Sequence, residues 1–322
     1  MSTLYIDQSD LEVRRDGDSL ALYRSGALER RVPFRLLRSV VVKGDAILHA
    51  SALTGMALHG CSLVVLPRYR SYGEALLSRG NGANSRRRLR QYELSLDDVW
   101  RTRLASLLVR AKIRGHARLL YRAARERREM GKELLDAVAR LTQTERQVSQ
   151  FTEISIARLM GLEGAAAAAF FGGYQTLFAG SLGFQGRNRR PPRDPVNASL
   201  SLAYTLLHAE CISQILIAGL DPSIGFYHEP AHGRESLACD LVEILRPSAE
   251  EWVWRLFRER RLQSGNFQTV QGACLLGKAG RRIYYEEFEQ LRTQSQVRLR
   301  YALQRFVREM NDGSSSDPLG EA

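Results

Sequence analysis

The first eighty residues alternate in short runs. LYI, LEV, LALYR and SVVV are apolar or alternating segments of strand length, separated by the turn signals DGD and SG, and SLVVLP returns to the same character later. Between them, AILHASALTGMALHG repeats its apolar positions at helical spacing. This pattern predicts a small β-rich domain over 1–80 with one short helix. The stretch SRGNGANSRRRL, 78–89, is rich in Gly, Asn, Ser and Arg and reads as an exposed connection, which we place at 81–92. From about 93 to 310 the dominant period is helical, with capping residues and few strand signals. The fold class expected is therefore α+β: a small N-terminal β-rich domain followed by a larger all-helical C-terminal domain. The last dozen residues, NDGSSSDPLGEA (311–322), are polar and predict a disordered tail. No internal repeat is found.

The apolar run SLAYTLLHAECISQILIAGL (201–220) is long enough to raise the question of a membrane span. It carries His208 and Glu210 near its centre, so it reads as a buried core helix. The N-terminus lacks the basic and apolar regions of a secretory signal, and the expectation is a cytoplasmic protein with no membrane partner. Cys61, Cys211, Cys239 and Cys274 are far apart with no CxxC pair, which points to reduced, packed thiols.

Charge changes the picture more than composition does. Of 322 residues, 25% are charged, an ordinary share, yet the formal net charge is +12. Such an excess favours a polyanionic partner, and nucleic acid is the commonest for a protein of this kind. The excess is also clustered. A helix expected over roughly 97–130 carries Arg110, Arg114, Arg118 and Arg122 at i+4 steps, followed by Arg125, Arg127 and Arg128. A second cluster, RNRRPPRDP (187–195), sets Arg187, Arg189, Arg190 and Arg193 on a proline-stiffened segment that cannot be helical. Both fit contact with a phosphate backbone, and a solvated face is the plainer alternative for the helix.

Candidate chemistry begins at HEPAHGRESLACDLVE, 228–243. If Ser236 caps a helix starting at Leu237, Asp240 and Glu243 share a face and repel, so a positive group should lie near them. A divalent metal with His228 as a further ligand would supply it; a solvated acidic face would also tolerate the pair. GLEGAAAAAFFGGY (161–174) offers Glu163 between two glycines at the start of an alanine-rich helix, where it could meet either a cation or the helix macrodipole. Glu163, His228, Asp240 and Glu243 together form a carboxylate-rich set with one imidazole, which suits Mg²⁺ or Mn²⁺ better than zinc. On a basic protein that set points to phosphodiester chemistry. GACLLGKA (272–279) has GxxxxGK spacing, but Ala279 replaces the required Ser or Thr and Leu275 and Leu276 fill the loop, so it is read as a turn. No GxSxG elbow is present.

Six blocks, in order, resemble one family: VVVKGDAILHASALTGMALHGCSLVVLPRYRSYGEAL, RAKIRGHARLL, GLEGAAAAAFF, RRPPRDPVNASLSLAYTLLHAE, GLDPSIGFYHEPAHGRESLACDLVEILRP and NFQTVQGACLLGKAGRRIYYEEFE. The family is the CRISPR-associated adaptation integrase, also described as the endonuclease of spacer acquisition. The resemblance covers nearly the whole chain up to the tail. It implies an N-terminal dimerisation domain and a helical catalytic domain with one divalent metal, Mg²⁺ or Mn²⁺, held by Glu163, His228 and Glu243. Asp240 then takes a supporting catalytic role with direct ligation open, Arg234 and Ser236 hold the loop or contact DNA, and Asn197 is structural or lines the site. Phe170 and Phe171 stand where many relatives carry a tyrosine, and Tyr174 is close by.

The implied activity is a transesterification in CRISPR adaptive immunity: the 3′-hydroxyl of captured double-stranded DNA attacks a phosphodiester of the CRISPR repeat. The implied partners are DNA, a second copy of the chain and a small ferredoxin-like CRISPR-associated protein, with Arg110, Arg114, Arg118, Arg122, Arg187, Arg189, Arg190, Arg193 and Arg234 contacting DNA. Two other readings use the same residues. One is a stand-alone metal-dependent nuclease on branched DNA, in which water replaces the 3′-hydroxyl, and the other is a non-catalytic DNA-binding scaffold.

Overall fold

The computed structural model describes residues 2–8, 10–66, 75–77, 85–127, 129, 131–151, 154–188 and 191–312. The chain divides into two compact units, Met1–Gly82 and Ala83–Ala322.

Among the described residues, the first unit contains two four-stranded sheets. In one, β1 (Ser2–Ile6), β5 (Leu37–Lys43) and β7 (Ser62–Leu66) run parallel in that order and β8 (Ala75–Leu77) pairs antiparallel with β7. In the other, β4 (Ala27–Pro33), β3 (Ser19–Arg24) and β2 (Leu11–Asp16) are antiparallel and β6 (Ile47–Leu48) lies parallel to β2. Two of the turn signals are hairpin loops. Asp16 pairs with Ser19 across Gly17, whose φ is +57°, and Arg24 pairs with Ala27 across Ser25 and Gly26, both at positive φ. The second is the backbone that a tight two-residue hairpin requires. Helix α1 (Ala50–Leu58) lays Met56 into a core with Leu4, Val13, Leu20, Phe34, Val40 and Val42. β4 escapes the sequence pattern because most of its side chains are exposed, so no alternation marks it.

The second unit is helical: α2 (Ser85–Ser95), α3 (Asp98–Glu126), α4 (Gly131–Gln150), α5 (Ile156–Tyr174), α6 (Pro195–Ile217), α7 (Ser236–Arg258) and α8 (Lys278–Asp312). Among the described residues it departs from the all-helical expectation at one hairpin, β9 (Phe267–Val270) with β10 (Ala273–Leu276). This hairpin occupies the GxxxxGK stretch, whose interior is paired strand and not a phosphate-cradling loop. Helix α2 begins inside the segment read as a connection. Its Gln91 is fully buried, donating to the carbonyls of Asp221 and Ile224 and accepting from the Asp221 amide, while Arg90 donates to the Met310 carbonyl. The tail read as disordered lies, from 313 onward, outside the described residues.

Two features of this unit set the geometry of the site. Helix α6 is long and apolar enough to cross a membrane by length and composition, and 56% of its most apolar window is buried inside the protein, as a core helix requires. Helices α3 and α7 meet at Gly115 and Pro247, where a Cβ added to Gly115 would stand 2.6 Å from Pro247 Cγ. The bare glycine lets the two axes approach closely. Pro247 also withholds the amide that would otherwise bond to the Glu243 carbonyl one turn earlier.

Candidate metal centre

Helix α7 begins at Ser236, one residue earlier than the sequence implied, and the Ser236 hydroxyl donates to the Glu229 carbonyl at 2.9 Å instead of capping an amide. One turn on, Asp240 is fully buried and both its oxygens are engaged. Oδ2 accepts the Phe226 and Tyr227 amides at 2.7 and 3.1 Å, and Oδ1 accepts the His228 amide at 2.9 Å and His228 Nδ1 at 2.8 Å. A single carboxylate therefore anchors the whole 226–228 turn. In the neutral ring the proton is fixed on Nδ1, leaving Nε2 as the lone-pair nitrogen. Gly225 permits this turn, since a Cβ there would lie 2.7 Å from the Ser236 carbonyl carbon and 2.9 Å from Asp240 Oδ2.

Glu243 follows Asp240 by three residues and faces cations. Arg246 Nε donates to its Oε1 at 2.9 Å, and the Lys112 ammonium of α3 lies 2.5 Å from its Oε2. Burial alone would raise the Glu243 carboxyl, but Arg246 and Lys112, with a smaller contribution from His228, outweigh it and hold the group at about 2. Lys112 also donates to Glu163 of α5. Glu163 sits mid-helix and not at a helix start, and added side chains at the flanking Gly161 and Gly164 would meet nothing, so these glycines serve no close helix packing. The buried Tyr227 hydroxyl is pushed up first by burial and then by the charges of Glu163, Glu243 and Asp240.

The four candidate residues thus fall into two pairs. Glu163 and Glu243, from different helices, meet on one cation, while His228 is held by Asp240 beside them. Among the described residues, no three His, Cys, Asp or Glu side chains gather tightly enough to hold an ion as they stand. The donor set nevertheless fits a divalent cation: two carboxylates already share a positive charge, and the histidine is oriented by a carboxylate in the way metal-bound imidazoles are.

A sequence profile described as CRISPR associated protein Cas1 matches residues 4–290. The chain belongs to the Cas1 family. A CRISPR-associated endonuclease Cas1 from Thermodesulfovibrio yellowstonii is 36% identical over 313 residues, 96% of each chain. Another from Thermus thermophilus is 33% identical over 281 residues, 86% of this chain and 81% of its own. Among solved structures, a Cas1 protein from Thermotoga maritima gives a TM-score of 0.84 at 20% identity, covering 98% of this chain and 100% of that one. A casposase bound to integration product gives 0.83 at 20% identity, covering 100% and 94%. These structural likenesses establish the Cas1 fold, an N-terminal β-sheet region followed by a helical part.

The basic residues divide by environment. Arg110, Arg114, Arg118 and Arg122 line a groove of about 540 Å³ between α3, α7 and α8, together with Arg255 and Arg298. The ridge is less bare than the sequence implied: Glu145 of α4 bonds Arg110 and Arg114 at 2.9 and 3.0 Å, and Glu251 of α7 bonds Arg122 at 2.5 Å. Arg118 is exposed. Arg187 turns inward, donating to Asn197 Oδ1 at 2.8 Å and Ser201 Oγ at 3.0 Å, with its guanidinium 5.4 Å from the Tyr204 ring centre. Asn197 is fully buried and ties the loop down by donating to the Gly186 carbonyl and to Asp194. Arg193 and Arg234 are exposed, with Arg234 donating to the Glu229 carbonyl at 3.3 Å; Arg189 and Arg190 lie outside the described residues.

Sequence reasoning missed Lys112 and Arg246. The signal for Lys112 was present: it interrupts the apolar stripe Leu108, Val109, Ile113, Leu119, Leu120 of α3, where a lysine must find an anion or escape to water. His116, one turn further on the same stripe, carries a second buried pair. Its Nε2 lies 2.7 Å from Glu250 Oε2, its ring stacks on Phe170 at 3.8 Å, the Tyr204 hydroxyl donates to the Glu250 carboxylate at 2.6 Å and the Tyr174 hydroxyl to the Glu250 backbone carbonyl at 2.7 Å. Phe170 therefore serves as a packing surface for His116.

Proposed function

We propose that this chain is a metal-dependent DNA integrase and endonuclease of CRISPR adaptation, joining 3′-hydroxyl ends of captured double-stranded DNA to the CRISPR repeat by transesterification. The observation that carries the reading is the convergence of Glu163 and Glu243 on one cation beside a histidine fixed by Asp240. A pair of carboxylates on two helices, one buried and one half-buried, is costly without a cation, and the family to which the chain belongs contains relatives named as endonucleases.

Glu163, Glu243 and His228 Nε2 would hold Mg²⁺ or Mn²⁺. When bound, such an ion supplies charge neutralisation and Lewis-acid assistance at a phosphodiester. The chain's own residues do the rest. Asp240 keeps the 226–228 turn and the imidazole in one orientation, so the site needs little rearrangement as charge develops. Arg246 holds Glu243 ionised and ready to ligate. Tyr227, buried and held in its protonated form, offers a neutral hydroxyl near the reacting centre and not a base.

The exposed arginines, Arg118 and Arg193 among them, position the DNA backbone without reading bases. The partners are DNA, a second copy of the chain through its N-terminal β unit, and a small ferredoxin-like CRISPR-associated protein. A Cas6–RT–Cas1–Cas2 complex and a Cas1–DNA complex among the structural neighbours, with TM-scores of 0.82 and 0.63, support assemblies of this kind.

The test is a strand-transfer assay with a short duplex bearing free 3′-hydroxyl ends, a supercoiled plasmid carrying a CRISPR repeat, the small partner and Mg²⁺ or Mn²⁺. Covalent joining that requires the metal, His228 and a free 3′-hydroxyl is expected. Cleavage without joining would replace the integrase reading with the stand-alone nuclease. DNA binding with neither reaction, unchanged in His228→Ala, would leave a scaffold.

A further inference from the structure

Two carboxylates from separate helices rest on one lysine. Lys112 is only 10% exposed in its side chain, and Glu243 as little. The second cation at Glu243, Arg246, uses Oε1, so Oε2 is left to Lys112; that oxygen is buried and has no partner in hydrogen-bond geometry. Helix α3 is fixed against α7 by the Gly115–Pro247 contact three residues on, which sets the reach of the lysine side chain. The ammonium is held at this point by the fold and is not a surface lysine that has drifted into contact.

We propose that Lys112 is a built-in counter-ion of the candidate metal site. In the metal-free protein its ammonium keeps Glu163 and Glu243 converged, and a divalent cation takes those carboxylates only by displacing it. The inference rests on the metal reading given above. An ammonium and a dication draw on the same carboxylate lone pairs, and they repel each other at contact distance. A lysine is suited to the exchange because its compact charge rides on a flexible four-carbon stem, whereas the carboxylates are fixed by their helices. Lys112 therefore holds the two carboxylates together when no metal is bound and lowers their affinity for metal, and it acts as a positioning residue for the ligands.

The experiment titrates Mn²⁺ alone into the full-length protein by calorimetry, with parallel thermal melts in EDTA and in saturating Mn²⁺, for wild type, Lys112→Met, Lys112→Gln, Lys112→Arg and Glu243→Gln. Lys112→Met and Lys112→Gln are expected to bind Mn²⁺ at least about tenfold more tightly than wild type, since one competing charge is gone. Both should melt lower than wild type in EDTA and recover in Mn²⁺, while Lys112→Arg keeps the wild-type melt in EDTA and the weaker affinity. If Mn²⁺ binds wild type, is lost in Glu243→Gln, and binds the Met and Gln variants no more tightly, Lys112 is a structural ion pair and the proposal falls while the metal reading stands. If Mn²⁺ binds none of these proteins, or binds Glu243→Gln as it binds wild type, the metal reading falls and takes the proposal with it. The Gln variant keeps a polar group at this point should Met prevent folding in EDTA.

Discussion

Asp240 Oδ1 accepts both the amide and the ring Nδ1 of His228, at 2.9 and 2.8 Å. One buried oxygen thus fixes the backbone and the side chain of the same residue, which ties the orientation of the imidazole to the integrity of the turn. Asp240→Asn replaces one acceptor oxygen by an NH₂ that points donors at donors. It is expected to cost about 2–3 kcal/mol of stability, the scale of leaving buried groups unsatisfied. Urea unfolding measures that loss. Strand transfer should fall further than stability accounts for, even where the variant is fully folded, and a folded Asp240→Asn with wild-type joining would show that the orientation of His228 does not matter.

The close approach of α3 and α7 depends on Gly115. A Cβ there meets Pro247 Cγ at 2.6 Å and Cβ at 2.8 Å, so Gly115→Ala must push the helices apart. An overpacking cost of about 1–3 kcal/mol is expected. The variant should lose activity more than Gly161→Ala, where an added Cβ meets nothing and helix propensity improves. Equal melting temperatures for Gly115→Ala and wild type would overturn this account of the helix contact.

Glu250 is fully buried. Burial raises its carboxyl, but the adjoining His116 and the Tyr204 hydroxyl more than offset this and keep it below its ordinary value of 4.5. A depressed folded-state pKa contributes stability that is present above 4.5 and lost as the pH falls below it. Glu250→Gln should therefore be less stable than wild type by about 3–5 kcal/mol at pH 7, the cost of breaking a buried pair, with the gap closing in acid. Urea midpoints at neutral and acid pH measure it, and a gap independent of pH would mean that packing, not charge, sets the contribution of Glu250.

The two arginine clusters should behave differently. Arg118 is exposed in the α3–α7–α8 groove, whereas Arg187 is turned onto Asn197 and Ser201. Arg118→Glu is expected to weaken DNA binding across sequences and reduce the salt slope by about 1, as loss of a phosphate contact does. Arg187→Ala should lower the melting temperature and leave the salt slope of the folded protein unchanged. Fluorescence anisotropy over a salt series separates the two, and a reversed pattern would assign the DNA contact to the 187–195 loop.

The succession of a β-rich part and a helical part was legible in the chain, because strand alternation, the DGD and SG turns and the helical period are local and need no tertiary information. Glu163, His228, Asp240 and Glu243 were legible as residue types whose chemistry belongs together, and the resemblance placed them in one family. Their division of labour was not. That Asp240 anchors a turn while Glu243 faces cations follows from helix α7 lying against the 226–228 turn on one side and α3 on the other. The hairpin at 267–276 hid behind a phosphate-loop spacing, since four-residue strands carry too short a pattern to compete with it.

What the sequence alone determined is the periodicity, the basic excess and the supply of ligating side chains, all properties that a chain carries before it folds. The tertiary structure decided which charges meet. Lys112 and Glu163 are 51 residues apart. Only the packing of α3 against α5 and α7, allowed at Gly115 by a missing methyl group, turns a lysine on an apolar stripe into the cation shared by two carboxylates.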